Sequence, residues 1–139
     1  MGEPNYTIHK AAGIIIRDRK ILVTRTEGKE IFINPGGRLE EGETVMQALI
    51  REHDEELGIT VAEEDVEFLG TYYSQAAYQP DQVVRLDAHI IHKWSGEIKA
   101  AAEVEETREI NSSDIGSLPL ASILEHDIIP ALLEKGLID

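Results

Sequence analysis

The chain has no cysteine among its 139 residues, which excludes disulfide bonds, thiolate metal sites and cysteine nucleophiles. It also has no apolar run close to the roughly 20 residues that a membrane-spanning helix needs. Its N-terminal segment, MGEPNYTIHK, lacks the apolar stretch of a signal peptide. We therefore expect a cytoplasmic protein that does not enter a membrane.

Basic residues are scarce. The 13 lysines and arginines stand against 27 aspartates and glutamates, and the net charge is −14. Such a surface repels the phosphates of a long nucleic acid and argues against that class of partner. A small phosphorylated ligand remains compatible with it if cations bind first. The length is that of one domain, and we expect residues 1–139 to form it.

Local signals predict a helix at about 44–57. Thr44 and Gln47 have the spacing of a capping box, and Gly58 is the residue type that most often ends a helix in the left-handed conformation. The predicted packing stripe consists of Met46, Leu49, Ile50, His53 and Leu57. We interpret His53 as a hydrogen-bonded core residue, with a catalytic role as the alternative.

A second face of this helix is acidic. Glu52, Glu55 and Glu56 follow i, i+3 and i+4 spacing, so their carboxylates project together although like charges at that spacing repel. One interpretation is a solvated surface, and the other is a site for a hard divalent cation, which prefers oxygen ligands. The preceding loop, with Pro35-Gly36-Gly37 and further acids after it, favours the cation because it allows a close backbone approach.

The stretch resembles the signature of the Nudix hydrolases, G-x5-E-x7-R-E-U-x-E-E-x-G-U, in which U is a bulky apolar residue. Eight of its nine specified positions match, and His53 is the exception, where the family has an apolar residue. The matching residues are Gly37, Glu43, Arg51, Glu52, Glu55, Glu56, Gly58 and Ile59.

The resemblance implies an α/β (α+β) fold, the Nudix α/β/α sandwich with a mixed β-sheet between helices. It also implies hydrolysis of the diphosphate linkage in a nucleoside diphosphate derivative with Mg²⁺ or Mn²⁺ as cofactor. The metal ligands would be Glu52, Glu55, Glu56 and the carbonyl of Gly36. The general base would be Glu52, Glu55 or Glu103.

The resemblance also assigns supporting roles within the signature. Arg51 would pair with Glu43 or Glu55 to keep the acids in place, and Gly37 and Gly58 would shape the backbone. Glu106 is the second choice after Glu103 for a further acid, and a solvated acidic loop is the alternative for both. Dimers are frequent among relatives, so a homodimer is a further expectation.

Substrate contacts are expected outside the signature. Arg25 ends a strand where many Nudix enzymes place a basic residue near the phosphates, and a solvated charge is the alternative. Arg38 is the other candidate for holding phosphate. Asn34 replaces the usual apolar residue, and its amide can bond a base or sugar or cap its own turn. Tyr73 and Tyr78 are candidates for stacking on a base, with core packing as the alternative.

The substrate class follows from the resemblance alone. The leading interpretation is the branch that cleaves nucleoside triphosphates, including oxidised ones, to a monophosphate and pyrophosphate. The alternatives are ADP-ribose, another nucleotide sugar or a dinucleoside polyphosphate, and a nucleotide sensor that hardly turns over its ligand.

The remaining elements are predicted from hydrophobic alternation and turn residues. Strands are expected at 6–17, 21–26, 31–33, 66–73 and 83–94, with loops at 74–82 and around 97–109. A closing helix is expected to start with Asp127 as its cap and to end at Gly136.

Overall fold

The computed structural model describes residues 4–76 and 78–139. Its larger sheet contains β1 (Ile8–Ile14), β5 (Gly36–Arg38), β6 (Val66–Ala76) and β7 (Gln79–Ile91) in the order β5-β1-β7-β6. β1 and β7 run parallel, and the other neighbours are antiparallel. The sheet is therefore mixed, as predicted.

A second sheet is built around β3 (Lys20–Thr26). β3 pairs antiparallel with β2 (Ile16–Arg17), β4 (Phe32–Ile33) and β8 (Val104–Ile110). The turn between β2 and β3 places Asp18 and Arg19 at positive φ, which allows the tight reversal that the sequence predicted there.

Two helices cover opposite faces of the larger sheet. Helix α1 (Val45–Leu57) packs on one face, where Ala48 and Leu49 form a buried cluster with Ala11 of β1. Helix α2 (Ile129–Glu134), with the π-helical turn Leu124–Ile128 before it, packs on the other face against Ile8 and Ile14. Because neighbouring strand residues point to opposite faces, β1 contributes to both layers. The predicted α/β/α arrangement is confirmed.

His53 belongs to the packing face of α1, as expected. It is fully buried, and its Nδ1 lies 2.7 Å from the carbonyl oxygen of Leu49. A Cβ on Gly13 would lie 2.1 Å from Nε2 of His53, so the absence of a side chain at Gly13 makes room for the ring. Burial lowers the pKa of His53 to about 4, and the imidazole is neutral at pH 7.

Several predicted boundaries are wrong. The expected strand 6–17 is divided at Ile15, and its two parts join different sheets. Most of the expected loop 74–82 belongs to β6 and β7, and residue 77 lies outside the described residues. The acidic segment after residue 103 forms β8 instead of a loop.

The closing helix also starts earlier than predicted. Helical structure begins at residue 122, and Asp127 lies inside the π-helical turn, where it caps nothing. Pro130 does lie in the first turn of α2, directly after the π-helical turn. Within residues 4–76 and 78–139, no helix is long and apolar enough to cross a membrane.

Candidate active site

Helix α1 is held at both ends by the residues that predicted it. The backbone N–H of Gln47 donates to Oγ1 of Thr44 at 3.1 Å, and the N–H of Thr44 donates to Oε1 of Gln47 at 2.9 Å. Gly58 ends the helix with φ 69° and donates to the carbonyls of His53 and Asp54. With both ends fixed and one face buried, the acidic face is presented to the edge strand β5.

The two glycines of β5 allow its backbone to approach these acids. Gly36 has φ 137°, and a Cβ on it would lie 2.0 Å from the carbonyl oxygen of Ala11. A Cβ on Gly37 would lie 2.7 Å from the carboxylate of Glu52. The N–H of Gly36 donates to Oε1 of Glu56 at 3.0 Å. Residues with side chains would not fit at either position without displacing a neighbour.

Arg51 organises the acids around it. Its Nε and Nη2 donate to the two oxygens of Glu43 at 2.7 and 2.9 Å, a bidentate pair. Its Nη1 donates to Glu52 at 2.8 Å and to Glu55 at 3.2 Å. Nη2 also bonds the carbonyl of Arg38 at 3.1 Å, which ties the helix to β5. Arg51 thus pairs with both of the acids proposed for it, Glu43 and Glu55.

These contacts shift the ionisation of the acids in opposite directions. The hydrogen bonds from Arg51 lower the pKa of Glu43 to about 2. The pKa of Glu56 is raised to about 8, first by burial and then by the negative charges of Glu52 and Glu103, against the opposing bond from Gly36. The effect of Glu103 shows that the start of β8 lies near the acidic face of α1, as the motif comparison suggested.

The three helix glutamates are not gathered around one point. Glu52 and Glu55 are drawn to Arg51, the side chain of Glu55 is 52% exposed, and Glu56 bonds to Gly36. Among the described residues, no group of three or more acidic or histidine side chains is close enough together to hold an ion.

A largely apolar cavity of about 120 Å³ borders the glycines. It is lined by Gly36 and Gly37 on one side and by apolar residues of β1, β7 and the segment before α2 on the others. We call it the apolar cavity, and its polar lining residues are Lys10, Asn34, Ser74, Gln75 and Ser122. Asn34 is buried, and its Nδ2 has no hydrogen-bond partner among the described residues.

The other predicted substrate residues are distributed differently. Arg38 lies in β5, and one guanidinium nitrogen donates to Oε1 of Gln79 at 3.1 Å. Arg25 bonds Glu105 at 3.1 Å and Glu106 at 3.2 Å, so its charge is engaged by β8. Arg25 does not line the apolar cavity.

The structure does not bring Tyr73 to this cavity. Its ring lies 6.4 Å from the ring of Tyr6, and it is directly opposite Arg85 in the β6–β7 register. Tyr73 is not among the described residues that line the apolar cavity, although its neighbour Ser74 is. Stacking of Tyr73 on a base stays a prediction.

Lys10 is the cavity residue that the sequence analysis missed. It lies directly opposite Arg38 in the register of β1 and β5. Burial and the charge of Arg38 lower the pKa of Lys10, while Glu56 and Glu52 raise it. The available signal was a lysine in the first half of a largely apolar strand, IHKAAGIII, on a position that alternation assigns to the core.

Comparison with known proteins decides the family. A family model described as the NUDIX domain matches residues 7–132, which is most of the chain. The chain belongs to the Nudix family. The Nudix resemblance of the segment from Gly37 to Ile59 is thereby confirmed, and the protein is a Nudix hydrolase.

Two curated Nudix relatives and one solved structure carry the comparison further. The ADP-ribose pyrophosphatase of Methanocaldococcus jannaschii is 32% identical over 120 residues, covering 84% of this chain and 68% of that protein. The 8-oxo-dGTP diphosphatase of Escherichia coli is 33% identical over 93 residues, covering 63% of this chain and 67% of that protein. The solution structure of the E. coli ORF135 protein matches with a TM-score of 0.71 at 26% identity, covering 91% of this chain and 89% of that protein.

Proposed function

We propose that this Nudix hydrolase cleaves a nucleoside triphosphate to a nucleoside monophosphate and pyrophosphate, using Mg²⁺ or Mn²⁺. The observation that carries the proposal is the position of the apolar cavity, whose wall is formed by the same two glycines that contact Glu52 and Glu56. A base bound in this cavity would place its phosphates beside the acidic face of α1. The likeness to an 8-oxo-dGTP diphosphatase supports the same substrate class.

The donor set fits a hard divalent cation. Only carboxylate and carbonyl oxygens are available at Gly36, Glu52, Glu55 and Glu56, and these are the ligands that Mg²⁺ and Mn²⁺ prefer. The raised pKa of Glu56 reports a buried carboxyl crowded by other negative charges, which a cation would relieve. A bound Mg²⁺ or Mn²⁺ supplies charge neutralisation of the diphosphate and acidification of a water molecule.

The residues of the chain have separate tasks in this proposal. Arg51 positions Glu52 and Glu55 through its hydrogen bonds, and Glu43 holds Arg51 by the bidentate pair. The attacking water loses its proton to a carboxylate that is ionised at neutral pH, for which Glu52, Glu55 and Glu103 are the candidates. Glu56, whose carboxyl is protonated at pH 7 without a cation nearby, is a ligand rather than the base.

Substrate recognition is assigned to two of the predicted residues. Nδ2 of Asn34 is a buried donor without a partner among the described residues, and leaving it unpaired costs roughly 1–3 kcal/mol. A carbonyl or ring nitrogen of a base would satisfy it. Arg38 binds phosphate. Arg25 would act indirectly, since its guanidinium already bonds two glutamates of β8.

A second candidate substrate is ADP-ribose. The match to an ADP-ribose pyrophosphatase extends over 84% of the chain, compared with 63% for the 8-oxo-dGTP diphosphatase. Both reactions break a diphosphate linkage beside the same acids. They differ in what lies beyond the second phosphate, which is a further phosphate in one case and a ribose in the other.

A substrate panel tests the proposal. Nucleoside triphosphates, ADP-ribose and dinucleoside polyphosphates are incubated with Mg²⁺ or Mn²⁺, and pyrophosphate and phosphate release are scored separately. Glu55→Gln and Glu56→Gln should each lose most of the turnover, while Asp54→Asn, an exposed acid on the same helix, should keep it. Pyrophosphate release from no triphosphate would overturn the substrate assignment, and unchanged rates in both glutamine variants would overturn the metal-site assignment.

A further inference from the structure

Arg38 differs from the other arginines of the chain. In a protein with 27 acidic residues, each of the six others forms an ion pair with an aspartate or glutamate. Arg38 forms none within residues 4–76 and 78–139, and its guanidinium bonds the neutral side chain of Gln79. An arginine that stays unpaired in so acidic a chain has a charge available for a ligand.

Lys10 adds a second unpaired cation at the same place. It is directly opposite Arg38 on the neighbouring strand, and like charges in that position destabilise a sheet. Lys10 is only partly exposed, and within the described part of the chain its ammonium makes no hydrogen bond or ion pair. The pair therefore has a free-energy cost that an anion between the two side chains would remove.

Lys29 contributes a third cation from the loop after β3. Its Nζ lies 4.4 Å from the ring centroid of Tyr78, a cation–π contact, and the ammonium forms no ion pair with an acid among the described residues. The hydroxyl of Tyr78 accepts from the backbone N–H groups of Glu30 and Ile31, each at 3.1 Å. These bonds hold the end of the β6–β7 hairpin against the loop that carries Lys29.

The three cations line one cavity of about 440 Å³. We call it the cationic cavity, and its polar lining residues are Lys10, Thr26, Lys29, Arg38, Tyr78 and Gln79. No aspartate or glutamate is among the described residues that line it. Lys10, Ile33 and Ala76 line the apolar cavity as well, so the two cavities adjoin at Lys10.

We propose that the cationic cavity binds the two terminal phosphoryl groups of a nucleoside triphosphate, the part that leaves as pyrophosphate. The inference rests on the proposed function, and it makes the cationic cavity the feature that selects a triphosphate. A substrate whose second phosphate carries a neutral sugar would leave the three positive charges partly unpaired. Lys10, at the junction, contacts the phosphate chain where it passes from the apolar cavity to the cationic cavity.

Equilibrium binding of inorganic pyrophosphate tests this assignment without catalysis. Titration calorimetry is performed in EDTA at low ionic strength on the full chain, because ion pairing with phosphate weakens with salt. The wild type should bind. Lys10→Met and Lys29→Met should each weaken binding about tenfold, as expected for one lost charge-assisted contact. Lys10→Arg should retain most of the affinity because the charge is kept.

Lys135→Met is the matched control, since it removes one positive charge from an exposed position after α2. Its affinity for pyrophosphate should equal that of the wild type. If Lys10→Met fails to fold, Lys29→Met on its exposed loop carries the test alone. No binding by the wild type, or equal weakening in Lys29→Met and Lys135→Met, would overturn the inference.

The result is separable from that of the substrate panel. If pyrophosphate binding depends on Lys10 and Lys29 but the protein hydrolyses no triphosphate, the proposed reaction is refuted and the anion site is still supported. If the protein hydrolyses a triphosphate but the two lysine variants bind pyrophosphate as tightly as the wild type, only the anion site is refuted.

Discussion

His53 provides a stability prediction whose sign and size follow from its burial. The pKa is about 6.5 for an unperturbed histidine and about 4 in the folded chain. Below pH 6.5 the unfolded chain takes up a proton that the folded chain cannot accept, so acidification favours unfolding. The loss is about 1.4 kcal/mol per pH unit between pH 6.5 and pH 4, which gives about 2 kcal/mol between pH 7 and pH 5.

The assay is urea denaturation of the wild type and His53→Leu at pH 7 and pH 5. Leucine fits the apolar surroundings of this position, and it does not titrate. The difference in unfolding free energy between the two proteins should therefore move by about 2 kcal/mol in favour of the variant at pH 5. Taking the difference cancels the contribution of Glu56, which has the opposite sign and is present in both proteins.

His126→Leu is the matched control because the side chain of His126 is 67% exposed. The pH-dependent change for His53→Leu is measured against the change for this variant, which replaces an exposed histidine. If His53→Leu behaves like this control, the imidazole is not held neutral by burial and the reasoning fails. His53→Leu should also retain activity, and a large loss of turnover with an intact fold would contradict the packing role.

Four further predictions concern the acids, the arginine that holds them and the glycines beside them. Because the pKa of Glu56 is raised, its stabilising contribution is fully present below pH 4.5 and is lost as the pH rises through 8. In EDTA the unfolding free energy should therefore fall by about 1.4 kcal/mol between pH 7 and pH 9, and Glu56→Gln should not show this fall. Gly36→Ala should destabilise by roughly 3 kcal/mol or more in urea denaturation, since its φ and the nearby carbonyl both oppose a side chain. Gly37→Ala displaces only the movable carboxylate of Glu52, so kcat should fall while stability stays near that of the wild type. Arg51→Lys cannot reproduce the bidentate contact and should lower kcat about 10- to 100-fold with the circular dichroism spectrum unchanged.

Helix α1 could be predicted from sequence because its determinants are local. Thr44 and Gln47 bond to each other across one turn, and Gly58 ends the helix through its own backbone angle. The spacing of Glu52 and Glu56 then determines which face carries the acids. Each of these relations spans only a few residues, so no knowledge of the fold is needed.

The polar hairpin β6–β7 could not be predicted in the same way. The segment SQAAYQPDQ contains proline and few apolar residues, which is typical of a loop. Residues 74–76 and 79–82 are extended because the strands continue their antiparallel pairing, with Ser74 opposite Val84 and Gln75 opposite Val83. That pairing depends on the register of the whole hairpin and not on local preference.

The partners of charged residues are equally non-local. Arg25 has the position of a phosphate ligand by resemblance, yet β8 brings Glu105 and Glu106 to it from 80 residues further along the chain. Arg38, the other candidate for holding phosphate, forms no ion pair with an acid within the described residues. Only the pairing of strands distinguishes an arginine with a structural partner from one with a charge available for a ligand.

The charges around Gly36 and Gly37 are segregated in a way that fits a metal–polyphosphate ligand. Glu52 and Glu56 approach the glycines from α1, and Lys10 and Arg38 lie on adjacent strands without forming ion pairs to them. Burial and crowding disfavour the charged form of Glu56, and the cross-strand arrangement disfavours two neighbouring cations. A cation at the acids and phosphates at Lys10 and Arg38 would relieve both costs. Binding of each would then favour binding of the other, and reciprocity requires the two effects to be equal.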